Sequence, residues 1–464
     1  MLSSPEDGLD IFAASSAIAL FDGKVNRMKI RTALLSLITV VSAGSAFAAE
    51  GPVPTGIPHL DHVWVLMMEN HGIGQVVGNS NCPYINDLAS LANTGTNYFA
   101  IAHPSLTNYL EVTGGSNFGV LTDNSPDWHD FNCTTNLASG TVATDNPVSP
   151  NICPISGTGT DAQTVAIDLT NETTGPPGVN NIDGVQSIPA ATNTVGKTIA
   201  DQLAESGRMW KSYQESLPTV GADTIDNSDG VFTNNTDFSA IVPALTPPLT
   251  SSDLVDLYAV KHNPFAYFSS VQEGIQPGSS LANVVGFDGS GGLYADLQSG
   301  SVPAYSFIAP NQCNDQHGRG NAGAFCAFDP NDNGTQAGLN PALMQLGDVA
   351  VRRIVTAIKQ SPVWGQGQNA IVILWDEDDY SVSPTVNKVL LIVDTNYGSH
   401  GVSSNTFYTH FSLLKSIEGG LGLPCLNHAC DSSTVVMSDL FGYTYPTVSG
   451  NARKAPTGGR SRAY

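Results

Sequence analysis

Short apolar, β-branched runs that end in polar or acidic residues recur along this chain and constrain its fold more than any other feature. Five such runs predict strands at Val63–Met68, Tyr98–Ala102, Tyr305–Ala309, Ala370–Trp375 and Val389–Val393. Helical patterns lie between them at Pro83–Ala92, Lys197–Glu205, Ala342–Lys359 and Thr409–Glu418. This alternation predicts an α/β protein with a largely parallel central sheet flanked by helices. Ligands of such sheets bind beyond the carboxyl ends of the strands, where the polar residues of these runs lie.

The balance of charges excludes some classes of partner. The chain of 464 residues has 41 Asp and Glu against 18 Lys and Arg, a formal net charge of −23. Nucleic acids and anionic bilayers are bound by basic surfaces, so we expect no nucleic-acid partner. Beyond the N-terminal region there is no apolar run of about 20 residues, so we expect no stable membrane anchor.

The N-terminal region predicts export. A short basic stretch, the apolar stretch Ala33–Val41 and the small-x-small sequence Ala46-Phe47-Ala48 indicate a signal peptide over residues 28–48. The alternative for this stretch is a buried helix at the start of a domain. If it is a signal peptide, residues 1–27 form an upstream extension. We therefore expect a secreted protein, extracellular or periplasmic.

One folded domain is expected over residues 50–445, followed by a disordered basic tail at 446–464. Residues 134–196 and 216–250 are rich in polar residues, Gly and Pro, and we expect them to be surface insertions. Seven cysteines lie in the predicted mature part, where an oxidising compartment favours disulfides. Short loops favour three pairs and leave Cys82 unpaired, although spacing does not fix the connectivity. The pairs are Cys133–Cys153, Cys313–Cys326 and Cys425–Cys430.

Acidic residues follow two of the predicted strands. Glu69 and Asn70 come directly after the first strand and offer hard oxygen ligands for a divalent cation, although Asn70 can instead cap a helix. Four consecutive acids, Asp376–Asp379, follow another strand. Four negative charges at the end of a buried strand are costly unless a cation offsets them, although a solvated acidic loop is the alternative. We favour a divalent metal site.

Two further motifs follow strands. Pro104 ends a strand and Ser105 begins a helix, where Ser105 can act as a nucleophile or, with Thr107, cap the helix. Asp315 and His317 share a polar loop in which they can converge on one cation. The alternative to a cation site is a polar loop that is held in place by Cys313.

Eight stretches in this order resemble the phosphoesterase family of bacterial and fungal acid phosphatases and phospholipases C, within the alkaline phosphatase superfamily. They are MMENHGIGQVVG, NCPYINDLA, HPSLTNYLEVTGG, WKSYQESLP, KHNPFAYF, YSFIAPNQCNDQHG, VILWDEDD and YTHFSLLKSIE, and they span about residues 62–420. The resemblance implies an alkaline-phosphatase-like fold, a divalent metal ion as cofactor and a phosphate ester as substrate. Residues 50–445 are then the phosphoesterase catalytic domain.

The resemblance also implies roles for single residues. Those that match the family's metal ligands are Glu69, Asn70, Asp315, His317, Asp376 and Glu377. Ser105 matches the nucleophile, and Asn108, three residues later, would help to hold the phosphoryl oxygens. Within the family the sequence is most similar to the secreted acid phosphatase branch. Position 107 is Thr where members of that branch often have Pro, which leaves Thr107 as an alternative nucleophile. Three more residues lie in matching motifs and are further candidate catalytic residues: Glu215, His262 and His410.

The function expected from the resemblance is that of a secreted acid phosphatase, which hydrolyses phosphate monoesters through a phosphoserine. A phospholipase C that cleaves phosphodiester head groups is the alternative with the same fold. A secreted binding protein that has lost catalysis is the alternative from another class.

Overall fold

The computed structural model describes residues 50–118, 197–217, 220–222, 257–272, 274, 276–318, 324–330, 333–378 and 387–442. Several predictions fall outside the described residues. They concern the extension at 1–27, the signal peptide at 28–48, the tail at 446–464, nearly all of both insertions, the Cys133–Cys153 pair and Asp379.

Nine strands of the described residues form one sheet. They are β1 His62–Met68, β2 Asn93–Phe99, β3 Trp210–Gln214, β4 Val284–Val285, β5 Tyr305–Ala309, β6 Asn369–Trp375, β7 Lys388–Thr395, β8 Ser403–Ser404 and β9 Tyr408–Thr409. Their order is β4-β3-β5-β1-β6-β7-β2-β8, and β9 also pairs with β2. Strand β7 is antiparallel to β6 and β2, and the other pairings are parallel. The expected α/β fold with a largely parallel central sheet is confirmed.

Helices follow most of the strands. They are α1 Ile73–Val76, α2 Pro83–Leu91, α3 Ser105–Gly114, α4 Ile199–Glu205, α5 Ser269–Gln272, α6 Leu293–Ser299, α7 Pro341–Gln360 and α8 His410–Leu421. The longest, α7, starts where Asn340 accepts a hydrogen bond from the backbone of Ala342, and Pro341 occupies its first position. Among the described residues, no helix combines the length and the apolar composition that crossing a bilayer requires.

The core surrounds the two central strands, β1 and β6. Val63–Met68 and all seven residues of β6 are buried, as expected for parallel strands covered on both faces. The register pairs Val63 with Ala370 and Met68 with Trp375. Because Met68 and Trp375 are paired at the ends of the two strands, the residues that follow them, Glu69 and Asp376, leave the sheet side by side.

Two strands differ from the expectation. β2 begins at Asn93, five residues before the apolar run, because polar Asn93 is held there by bonds from its amide to Ser399 and Leu440 carbonyls. β7 runs antiparallel to its neighbours, so Asp394 lies at the opposite edge of the sheet from Asp376 and pairs with Lys359 at 2.6 Å. Asp394 is the residue that follows the apolar run Val389–Val393, and the expectation that the residues after these runs lie at the ligand-binding edge was wrong for it.

Two of the predicted disulfides lie within the described residues, and both are formed. Cys313–Cys326 closes a loop that contains Asp315 and His317. Cys425–Cys430 lies after α8. Cys82, expected to be unpaired, is a buried free thiol.

Candidate active site

The carboxyl ends of three adjacent strands bring the predicted acidic residues together. Glu69 follows β1, the central strand, and its backbone N–H donates to the carbonyl of Asp315, which follows the neighbouring β5, at 2.9 Å. On the other side, the N–H of Asp376 after β6 donates to the carbonyl of Met68 at 3.0 Å. Residues from three distant parts of the chain thus lie next to one another at one edge of the sheet.

The hydroxyl of Ser105 points into this acidic cluster from the first turn of α3. Its Oγ lies 3.0 Å from Oε2 of Glu69, 3.4 Å from Oδ1 of Asn70 and 3.5 Å from Oε1 of Glu377. Thr107, two residues later, turns its hydroxyl back and donates to the carbonyl of Pro104 at 2.7 Å. Of the two hydroxyls, only that of Ser105 contacts the predicted metal ligands in the described structure.

Asn70 is held in an unusual backbone conformation at the end of β1. Its φ of 48° lies in the left-handed region, which Asn tolerates better than most residues. This turn lets the backbone N–H of Asn70 donate to Oδ1 of Asp376 at 3.0 Å while its side chain faces Ser105. The two segments that carry the predicted metal ligands are therefore linked directly.

His262 bridges two of the carboxylates. Its Nε2 lies 3.1 Å from Oε1 of Glu69, and its Nδ1 lies 3.2 Å from Oδ2 of Asp315. The ring also stacks on Tyr109 of α3, with centroids 5.2 Å apart. This contact packs the short 3₁₀ turn Val260–His262 against the helix that presents Ser105.

Lys261 is a member of the site that the sequence-based prediction missed. Its Nζ lies 3.4 Å from Oγ of Ser105 and 3.2 Å from Nε2 of His317. Nδ1 of His317 lies 2.8 Å from the carbonyl of Gly318, which can only accept. The ring proton therefore belongs on Nδ1, which leaves Nε2 to accept a hydrogen bond from Lys261. The only sequence signal for Lys261 was its position directly before His262 in KHNPFAYF.

Glu377 is fixed by two residues near the start of α3. His103, also missed as a site residue, has Nδ1 2.7 Å from Oε2 of Glu377. The amide of Asn108 donates to the same oxygen at 3.1 Å and to the carbonyl of Ala102 at 2.7 Å. Its Oδ1 accepts from the backbone N–H groups of Ile101 and Ala102. The side chain of Asn108 is thus engaged within the protein at both ends.

Glu215 and His410 support the site without touching Ser105. Oε2 of Glu215 accepts bonds from the backbone of Asn311 and the amide of Asn314, which shapes the loop before Asp315. Nε2 of His410 lies 2.7 Å from the backbone carbonyl of Asp376, and its Nδ1 lies 2.6 Å from the hydroxyl of Tyr98. In this geometry both residues position segments that carry predicted metal ligands.

Burial disturbs the protonation of the cluster. It raises the pKa of Asp376 to about 6, and it raises the pKa values of Glu69 and Asp315 well above their usual range. The nearby ammonium of Lys261 opposes each of these increases. Burial also lowers the pKa of His262 well below its usual range, so this ring adds no positive charge at neutral pH. The cluster therefore has more buried acid than positive charge to balance it.

The donor set fits a divalent cation. Carboxylate and amide oxygens of Glu69, Asn70 and Glu377 converge within 3.5 Å of the Ser105 hydroxyl, and hard cations prefer such oxygens. Within the described residues, Oδ2 of Asp376 is buried and accepts no hydrogen bond, and Oε1 of Glu69 is buried with the ring nitrogen of His262 at 3.1 Å but no hydrogen bond to it. Buried carboxylate oxygens without a donor are costly, and a cation removes that cost.

Comparison with known proteins places the chain among phosphoesterases. The model of the phosphoesterase family matches residues 79–326. The chain is similar to a phosphatidylinositol-3-phosphatase of Mycobacterium tuberculosis, with 22% identity over 88% of this chain and 94% of that protein.

Two fungal proteins are also similar. An acid phosphatase of Aspergillus fumigatus shares 23% identity over 84% of this chain and 62% of its own length. A phosphate-repressible acid phosphatase of Penicillium chrysogenum shares 24% identity over 77% of this chain and 60% of its own length. The chain thus spans less than two thirds of either fungal relative.

Among solved structures, a protein of the alkaline phosphatase superfamily from Vibrio parahaemolyticus matches with a TM-score of 0.38 and 12% identity. The match covers 81% of this chain and 70% of that chain. A lipoteichoic acid synthase from Listeria monocytogenes matches with a TM-score of 0.39 and 10% identity, over 85% and 79% of the two chains.

Proposed function

Since the chain belongs to the phosphoesterase family and is a phosphoric ester hydrolase, we propose that it is an acid phosphatase that hydrolyses phosphate monoesters through a phosphoserine on Ser105. The position of the Ser105 hydroxyl carries this proposal. It is buried among the oxygens of Glu69, Asn70 and Glu377, at the amino end of α3. The hydroxyl of Thr107 is engaged with a backbone carbonyl instead, which supports Ser105 as the nucleophile.

The residues that would hold the divalent ion are Glu69, Asn70, Asp376 and Glu377. A bound ion supplies positive charge that favours the ionised form of a neighbouring hydroxyl and offsets charge on the phosphoryl oxygens. Asn70 and Asp376 are already joined by a hydrogen bond, and Asn108 and His103 hold Glu377 in place. These contacts preorganise the oxygens before any ligand arrives.

The reaction consists of two displacements at phosphorus. Oγ of Ser105 gives up its proton and forms a bond to phosphorus, the ester P–O bond breaks, and the leaving oxygen takes up a proton and departs as the alcohol. The Ser105 proton has its nearest acceptor in Oε2 of Glu69, at 3.0 Å. Water then attacks the phosphoserine, which releases phosphate and restores the hydroxyl. Positioning and neutralisation of phosphoryl charge supply most of the catalysis in such transfers.

Two observations support the finer parts of the proposal. The three relatives from Mycobacterium tuberculosis, Aspergillus fumigatus and Penicillium chrysogenum are named phosphatases, which favours monoesters over the diesters of a phospholipase C. The disulfides Cys313–Cys326 and Cys425–Cys430 fit a protein that folds in an oxidising compartment, which favours export.

The test is hydrolysis of p-nitrophenyl phosphate by the 50–464 chain from mildly acidic to mildly alkaline pH. We expect turnover that a chelator abolishes and an added divalent ion restores. Turnover that survives exhaustive chelation would contradict the metal-assisted reaction. Activity on phosphatidylcholine without activity on the monoester would replace the phosphatase with a phospholipase C. Absence of turnover with both substrates would favour a binding protein.

A further inference from the structure

Positive charge is unevenly distributed around Ser105. The Ser105 Oγ lies 3.4 Å from Oδ1 of Asn70 and 3.5 Å from Oε1 of Glu377, two of the oxygen donors proposed above for the divalent ion. Nζ of Lys261 lies 3.4 Å from the same hydroxyl. Of the described site residues, Lys261 supplies a permanent cationic group to the Ser105 hydroxyl itself.

The side chains beyond Lys261 form a second potential metal site. Glu69, His262 and His317 each offer one ligand atom, and these atoms lie within 4.8 Å of one another. By residue type this set is a good ligand group for a transition metal. Two interpretations are therefore possible here: a second divalent ion bound by these side chains, or the ammonium of Lys261 in its place. The contacts of His317 decide between them.

His317 has no free lone pair to give such an ion. Its Nδ1 is committed to the carbonyl of Gly318 at 2.8 Å, and its Nε2 accepts from Lys261 at 3.2 Å. A metal ion at Nε2 would have to displace the lysine or lie beside its ammonium. Two positive charges that close together repel in this part-buried place, where the effective dielectric constant is lower than in water.

We propose that the ammonium of Lys261 takes the place of a second metal ion, so that the site binds a single divalent ion and uses Lys261 to hold the phosphoryl group. His317 is then the residue that orients Lys261 rather than a metal ligand, which departs from the role implied by the family resemblance. This inference rests on the proposed function for the identity of the phosphoryl ligand. The lysine contacts reacting atoms and is therefore a catalytic residue.

The geometry gives Lys261 a defined task. An ammonium next to the attacking oxygen is within reach of a phosphoryl oxygen of a substrate bound at Ser105, and it needs no reorganisation as charge develops. Lysine acts as a compact point charge, whereas the planar guanidinium of arginine needs more room and a different angle of approach. Lys261→Arg should therefore recover only part of what Lys261→Met loses.

The first measurement needs no variant. The metal-free 50–464 protein is titrated with Mn²⁺, Zn²⁺ and Ca²⁺ in turn, and bound metal is counted by elemental analysis after gel filtration. One equivalent per chain for each ion that binds is expected. Two equivalents in the wild-type protein would overturn the proposal, whatever the activity.

The second measurement uses Lys261→Met, which removes the charge and keeps the length of the side chain. We expect turnover of p-nitrophenyl phosphate to fall by about 10²-fold and binding of inorganic phosphate, followed by calorimetry, to weaken at least about tenfold, while one metal ion still binds. Lys359→Met removes a lysine whose partner is Asp394, at the opposite edge of the sheet, and is the matched control. Its turnover and phosphate affinity should match the wild type.

Retention of both turnover and phosphate affinity within about threefold in Lys261→Met would overturn the proposal. The two proposals fail differently. If the wild type hydrolyses no phosphate ester, yet binds one ion and loses phosphate affinity on Lys261→Met, the proposed function is wrong and the assignment of Lys261 stands.

Discussion

The amide of Asn108 donates a hydrogen bond to Oε2 of Glu377 at 3.1 Å. This bond joins α3, which presents Ser105, to the end of β6, which presents the acidic pair. With its other contacts to residues 101 and 102, Asn108 fixes the approach to the helix as well. Its role in this geometry is to set the distance between the hydroxyl and the acidic residues, so we assign it as a positioning residue.

Replacing Asn108 tests that assignment. Asn108→Ala should lower kcat about 10- to 100-fold and weaken metal binding, because Glu377 loses a donor and the segment before α3 loses its anchor. KM for p-nitrophenyl phosphate should change little if the amide does not touch substrate. A large rise in KM with unchanged metal affinity would instead favour direct contact between Asn108 and the phosphoryl group.

Ser105 and Thr107 are separated by paired variants. Ser105→Ala should reduce turnover about 10²-fold or more, whereas Thr107→Val should stay within a few-fold, because its hydroxyl donates only to the carbonyl of Pro104. Mass spectrometry after acid quench of the working enzyme should locate a phosphoryl group on Ser105. A phosphorylated Thr107 would reverse the assignment.

The disulfide Cys313–Cys326 should support activity as well as stability. It closes a loop with a sequence separation of 13, and Asp315 and His317 lie inside that loop. Replacing both cysteines by Ser should lower the free energy of unfolding by about 3 kcal/mol and lower kcat, as measured by urea titration and by kinetics.

The matched control for that variant is the pair Cys425–Cys430, which lies after α8. Its double Ser variant should lose stability but keep kcat within a few-fold. Equal kcat values for the two double variants would show that the 313–326 loop needs no covalent closure to present Asp315 and His317.

Glu418, far from Ser105 in sequence, should make stability depend on pH. Burial raises its pKa well above the ordinary value of 4.5. One oxygen accepts from the N–H of Leu426, and the other has no hydrogen-bond donor among the described residues. As pH rises above 4.5, the unfolded chain releases this proton before the folded one does. The contribution of Glu418 to stability is therefore largest at low pH and falls as pH rises.

Glu418→Gln keeps the acceptor for Leu426 and removes the ionisation. Relative to the wild type, the variant should gain about 1–3 kcal/mol in the free energy of unfolding at pH 8 and less at pH 5. Urea titrations at both pH values measure the difference. A constant difference between the two proteins would show that Glu418 is ionised in the folded state at both pH values.

Much of the fold and of the acidic cluster was predictable because it follows from buried strands. The apolar runs at 63–68, 305–309 and 370–375 stand out by composition, and polar residues at their carboxyl ends converge once the strands are parallel. The predicted β5 has the bounds found in the structure.

Other features depend on tertiary packing and have weak local signals. Strand β3 reads WKSYQ, with polar residues that obscure a strand, and β7 gives no sign of its direction in the sheet. Lys261 has only a weak sequence signal, its position directly before His262. Its position follows from the packing of the Val260–His262 turn on α3, which brings together residues 156 apart in sequence.

The direction of β7 has a consequence for how this protein can be divided. Because β7 is antiparallel to both β6 and β2, the early strand β2 points the same way as the late strand β6, and Ser105 meets Glu377 across a sequence separation of 272. A fragment that stops before residue 376 retains Ser105 and Glu69 but lacks Asp376 and Glu377. Activity therefore requires the segments before and after residue 376 to be together in one sheet. Residual turnover after limited proteolysis measures the fraction of molecules in which the two segments remain associated.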